Sequence, residues 1–188
     1  MKRIIFDIET LDWFVKGQTR DLSKVRFGIA ATCEARNYWL LRRNKWSEWE
    51  RVHAPPLYHY LQSADEIVGW NIVAFDLPII ANAAMLPHEW QPRIVDMMSL
   101  IRDATNRWYK LDVIAQANLG QAKSANGEMA VTWLRSNDHR LYRRAMDYCR
   151  ADVELTRRLY EKARRDGIIL PPRSERGETE WLTWKLQE

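Results

Sequence analysis

Residues 4–10, Ile4-Ile5-Phe6-Asp7-Ile8-Glu9-Thr10, set apolar side chains around two acids in a pattern that predicts a β-strand. Side chains alternate faces along a strand, so Ile4, Phe6 and Ile8 point one way and Ile5, Asp7 and Glu9 the other. After a polar, irregular stretch over 11–24, two apolar runs at 25–33 and 37–42 read as strands, and their short connection predicts a hairpin. Residues 45–63 have helical character, interrupted by Pro55-Pro56. A short buried strand is expected at 66–70, a helix over 75–85, a further strand at 93–96 and a helix over 111–119 closed by Gly120. The small, polar residues of 121–131, with Gly127, predict a mobile loop. Asn137 or Asp138 can cap a long helix reaching about Arg165, which Gly167 ends and Pro171-Pro172 keep from resuming. Strands and helices alternate, so the expected fold is α/β with helices on both faces of the sheet.

Several polar residues break this pattern inside otherwise apolar segments. Asp7 and Glu9 share a strand face with Cα atoms about 6.6 Å apart, either as strand-end acids turned to solvent or as ligands of a cation. Tyr148 and Asp152, four residues apart, lie on the apolar stripe of the long helix with Ala145, Leu155 and Leu159. Such a pair needs partners, whether each other, an arginine or a metal. Asp76 follows Phe75 and precedes Pro78, which also suits a helix N-cap with proline in the first turn. Asp96 equally suits a cap for a following helix. Asp7, Glu9, Asp76 and Asp152 on converging elements would raise one another's pKa unless cations joined them. Two divalent ions about 3.5–4 Å apart answer that need, and all-oxygen ligation favours Mg²⁺ or Mn²⁺ over zinc.

Composition narrows the setting. At 188 residues the chain is expected to form one main domain over 1–165, with a tail over 166–188 that docks on it through Trp181 and Trp184. Its net charge of +4 fits a polyanion-binding protein. The arginines gathered in the long helix, Arg143, Arg150 and Arg158 among them, belong for the most part to a solvated face, with some available to phosphates. Of the 10 Trp, most are expected in the core and one or two at a base-stacking surface. Cys33 and Cys149 are too far apart and too few for a zinc site and suit reduced thiols in a cytoplasmic protein. Acids interrupt the apolar run after Met1-Lys2-Arg3, which argues against a signal peptide, and no run has the length of a membrane span.

Phe6-Asp7-Ile8-Glu9-Thr10 resembles the first motif of the DEDD 3′–5′ exonucleases. Asn71 through Phe75-Asp76 resembles their second motif, and Tyr148 with Asp152 the third in its tyrosine form, which marks the DEDDy branch. Tyr148-Cys149, Asp152-Val153, Val95-Asp96 and Lys110-Leu111-Asp112 are similar in texture to the exonuclease domains of family B DNA polymerases, so the likeness runs over roughly residues 1–162. The resemblance implies a ribonuclease H-like α/β/α fold on a five-stranded mixed sheet, and hydrolysis of terminal phosphodiesters to nucleoside 5′-monophosphates. It also implies roles. Asp7 would bridge two metals, Glu9 and Asp152 would complete one site, Asp76 would hold the other, and Tyr148 would orient the attacking water. Thr10, Asn71 and Phe75 would support the site or contact the strand, with core packing the equal alternative for Phe75. The expected substrate is single-stranded DNA or 3′ ends, with an RNase D-like exoribonuclease, a ribonuclease H-like endonuclease and a non-catalytic nucleic-acid-binding module as alternatives. At this length the chain is expected to act alone or to serve a separate polymerase or repair protein.

Overall fold

The computed structural model describes residues 1–13, 21–34, 37–41, 55–81, 88–122, 125–173, 177 and 179–186. The helical character expected over 45–54 and the end of the helix expected over 82–85 lie outside them. Five strands form one sheet: β1 (Arg3–Thr10), β2 (Phe27–Glu34), β3 (Asn37–Leu41), β4 (Glu66–Gly69) and β5 (Ile94–Asp96), in the order β3-β2-β1-β4-β5. The first three are antiparallel, with Asp7 opposite Ala31, whereas β4 and β5 add in parallel to the other side of β1. The sheet is therefore mixed, and β1 is its centre.

The alternation along β1 sorts its side chains between two cores. Ile4, Phe6 and Ile8 enter one with Leu57 and Leu61 of α1 (Pro55–Gln62), Leu77 and Ile80 of α2 (Asp76–Ala81), and Trp90. Ile5 enters the other, beneath α3 (Met97–Thr105), α4 (Leu111–Leu119), α5 (Gly127–Arg135) and α6 (His139–Arg165). Helices thus cover both faces, giving the ribonuclease H-like α/β/α arrangement. Each core is made of Ile, Leu, Val and aromatic side chains whose removal from water is the main stabilising term.

Helix α6 is the longest element. Asp138 caps it by accepting from the Arg140 amide at 2.7 Å. Ala145, Cys149, Asp152, Thr156, Leu159 and Ala163 recur at helical spacing on its buried face. Lys162, Arg164 and Arg165 occupy the last turn, where cations suit the helix dipole. At the end of the sheet away from the C-terminus of β1, the Tyr160 hydroxyl donates to Glu66 at 2.8 Å, and Arg3 pairs with the same carboxylate.

The tail brings an element that periodicity did not foresee. Strands β6 (Ile168–Leu170) and β7 (Leu182–Trp184) form a separate antiparallel pair. Trp184 is buried in the second core, Trp181 is exposed, and the Tyr109 hydroxyl donates to the Pro171 carbonyl at 2.8 Å. No helix among the described residues is long and apolar enough to cross a membrane.

Candidate active site

The C-terminal half of β1 differs from its first half because β4 leaves it early. Parallel pairing runs only from Arg3–Glu66 to Ile5–Val68. Gly69 ends β4 with almost no room beside it: a Cβ there would lie 2.2 Å from Ile72 Cγ2 and 3.2 Å from the Phe6 carbonyl. The chain then turns through Asn71, whose φ is 64°, and enters α2 at Asp76. On the opposite side of β1, the register with β2 shifts between Glu9 and Thr10. Gly28 sits at that irregularity, where a Cβ would come within 2.7 Å of the Glu9 carbonyl and 2.8 Å of Leu134. Glycine there lets both β1 and α5 close in on the strand end.

Four acids collect around this strand end. Asp7 is half-buried and Glu9 nearly buried, both on the face that carries α6. Ligand atoms of Asp7, Glu9 and Cys149 all lie within 4.8 Å of one another. The Cys149 thiol donates to the Asp7 carbonyl at 3.5 Å and reaches its Oδ2 at 3.8 Å. Burial pushes the thiol well above its usual range, and the charges of Asp7, Glu9 and Asp152 push it further. Asp152, buried one turn along α6, therefore acts on the same point. Asp76 reaches β1 from the other side: its Oδ1 accepts from the Ile8 amide at 3.1 Å, the position that β4 vacates. Burial first and the charge of Asp7 next raise its carboxyl well above the usual range, against the opposing pull of the Ile8 amide.

Buried or half-buried carboxylates gathered about one strand end are the chemistry a hard divalent cation fits. Such an ion offsets the repulsion that raises Asp76. Asp7, Glu9, Asp152 and Asp76 could hold it.

The other residues expected in the site divide. Tyr148 is buried on α6, edge-on to Trp133 with ring centroids 6.4 Å apart. Thr10 is buried and its hydroxyl donates to the Asp12 carbonyl at 3.2 Å. Phe75 is half-buried and, with Glu9 and Thr10, lines a cleft of about 380 Å³ whose other walls include Trp13, Val131 and the first turn of α5. Asn71 does not line that cleft; its amide donates to Asp96 at 2.9 Å.

Sequence reading missed the helical start of α5, the second task of Asp96, and the places of Cys149 and Trp13. The loop expected over 121–131 becomes helical from Gly127, because the Asn126 side chain caps the Met129 amide at 3.0 Å and Ala130, Val131 and Leu134 bury one face. Helical spacing of those three apolar residues was the available signal. Asp96 realises its expected cap on α3 through the Met98 and Ser99 amides, and also accepts from Asn71 and Val73. It thus holds the turn that delivers Asp76. Cys149 and Trp13 carried no signal beyond their proximity to the motifs.

A family described as RNase_H_2, of the RNase_H superfamily, matches residues 4–164. Among solved structures, the chain is similar to the family B DNA polymerase from the hyperthermophilic archaeon Pyrobaculum calidifontis, with a TM-score of 0.64 and 19% identity. The match covers 86% of this chain and 24% of the polymerase, so the chain spans about a quarter of that protein's length. At this identity the likeness is one of fold. No curated protein matches the chain.

Proposed function

The chain belongs to the RNase_H superfamily, and from that premise we propose that it is a metal-dependent 3′–5′ exonuclease of the DEDDy type that releases nucleoside 5′-monophosphates from single-stranded DNA. One observation carries the reading: the acids of all three motifs gather at one strand end, with Asp76 reached through Ile8 and Asp152 through Cys149. Dispersed structural acids would not converge in this way.

Asp7, Glu9 and Asp152 would hold one divalent cation and Asp76 would hold a second. When bound, two divalent cations supply Lewis-acid activation of the attacking water and neutralise the charge that grows on the phosphoryl and leaving 3′ oxygens. The protein's own part is positional. Cys149 donates to the Asp7 carbonyl and so helps hold the backbone that carries the Asp7 carboxylate. Tyr148 would direct the water through its hydroxyl, which can both donate to and accept from it. Thr10 and Phe75 border the strand, and Asn71 acts through the Asp96-pinned turn. A separate polymerase or repair protein is a fitting partner for an activity of this kind.

Asp7→Ala is expected to lower Mg²⁺- or Mn²⁺-dependent digestion of a 5′-labelled oligonucleotide by about 1,000-fold or more, roughly 4 kcal/mol of transition-state stabilisation. Retained digestion by a folded Asp7→Ala protein overturns the assignment. A 3′-blocked strand should resist digestion, whereas an endonuclease would still cut it. Matched DNA and RNA strands, digested in parallel, separate this reading from an RNase D-like exoribonuclease. Binding without turnover under either metal indicates a nucleic-acid-binding module instead.

A further inference from the structure

Four of the large apolar side chains exposed among the described residues, Trp108, Val113, Ile169 and Trp181, surround the tail rather than the acidic site. Trp108 and Val113, with Lys110, Pro171, Pro172 and Arg173, line a cleft of about 300 Å³ at the start of α4. Lys110 and Arg173 make that cleft basic, and the Arg102 guanidinium lies 4.7 Å from the Trp108 ring centroid. Trp181 stands beside it with 61% of its surface exposed. It comes one residue before β7, whose register pairs Leu182 with Leu170, the residue before Pro171. Alternation along the strand therefore sets Trp181 on the outer face of the β6–β7 pair, with Ile169 and Thr183. The Arg107 guanidinium donates to the Glu180 carbonyl at 3.5 Å, which ties the approach to Trp181 to the stretch that carries Trp108. This face is remote from the acids: α6 passes Tyr148 at the acidic strand end and Tyr160 at the other, and β6 follows it.

We propose that this face joins two copies of the chain, each placing its Trp181 in the cleft of the other, with Glu180 against Lys110 and Arg173. The inserted group and the cleft sit side by side on one surface. A two-fold axis between them satisfies both at once and closes the assembly at two. At the lower end of ligand-site volumes, the cleft fits one bulky side chain rather than an extended molecule. Its apolar walls and the indole both leave water on contact, and tryptophan with arginine is the composition of interface cores. The charges also match, since Trp181 follows an exposed carboxylate, Glu180, whereas the cleft is lined by Lys110 and Arg173. Pairing through this end leaves both acidic strand ends open, and it stands whether or not the exonuclease reading does.

Sedimentation equilibrium of the full chain from about 1 to 200 µM should give a species of twice the 22.4 kDa chain mass. Trp181→Ala should raise the dimer dissociation constant about tenfold or more, and added salt should raise it as well. Lys110→Glu and Glu180→Lys should each raise it about fivefold. The two together should recover most of that loss, because the pair is restored with its signs exchanged. All three positions are exposed, so each variant should keep the wild-type melting temperature. A synthetic peptide of residues 177–183 should compete and return wild type to monomer. Wild type that stays monomeric at about 200 µM overturns the proposal, and so does a dimer that Trp181→Ala and Lys110→Glu leave intact. A monomer that nonetheless binds the peptide also overturns it, in favour of an acidic segment of a different protein.

Discussion

Cys149 is surrounded by the charges of Asp7, Glu9 and Asp152, and together with burial they keep its sulfur protonated. A thiol in that state is a donor, and it donates to the Asp7 carbonyl. Its neighbour Tyr148 is the residue whose loss should read out most specifically. Tyr148→Phe keeps the buried ring and its packing on Trp133 but removes the hydroxyl. It is expected to lower kcat about 100-fold while KM and unfolding midpoint stay near wild type, as steady-state kinetics and denaturant titration will show. A fall in KM affinity instead would make Tyr148 a substrate contact. At this scale Asp7 and Glu9 were legible because period-two alternation fixes which face a strand residue takes. Cys149 was not, since its importance depends on how a helix lies across a sheet, and nothing local in sequence encodes that rotation. Trp13 was hidden for a different reason: it lies in an irregular stretch where no periodicity assigns a direction.

Between elements, Asp96 links three of them. Its carboxylate caps α3 and also holds the Asn71 and Val73 amides in the turn between β4 and α2. Asp96→Ala leaves those buried or half-buried amides without their acceptor and should cost about 3 kcal/mol of stability, measurable by urea denaturation. Because the turn leads into Asp76, the same variant should need more Mn²⁺ for half-maximal hydrolysis; an unchanged metal requirement would confine Asp96 to stability. The sequence suggested the cap but not the second task, which exists only once β5 lies beside β4. The long helix was readable from end to end because its apolar stripe, its capping Asp138 and Gly167 agree. The start of α5 was misread because Gly127 and its polar surroundings resemble a loop, while the apolar face that makes the segment helical begins only at Ala130.

Over the whole molecule, the acidic strand end and the Arg3–Glu66–Tyr160 cluster occupy opposite ends of β1 and α6. The tail adds to the same body through β6, β7 and Trp184. Trp184→Ala should destabilise the protein by about 3 kcal/mol through the cavity it leaves, with the hydrolytic rate per folded molecule unchanged; a thermal melt beside an activity assay checks both. Alternating helices and strands were enough to foresee an α/β fold. The strand order was not readable from alternation, because it depends on which edges pair after the chain collapses, and it entered only through the resemblance. The tail hairpin escaped because its two three-residue strands are too short to establish a period.

The early departure of β4 from β1 has a practical result for whoever builds an inactive variant. Past Ile5 the central strand is no longer paired with β4, and the buried Asp76 carboxylate accepts from the Ile8 amide there. An acid in that position keeps a buried amide satisfied, and a buried amide left without its acceptor costs stability. Removing Asp76 would silence the site and orphan the Ile8 amide together, so a destabilised protein would be mistaken for one that merely lacks a ligand. Replacing Asp7 leaves the Ile8 amide covered, and Asp7→Ala is for that reason the cleaner silent form in which to hold a bound strand.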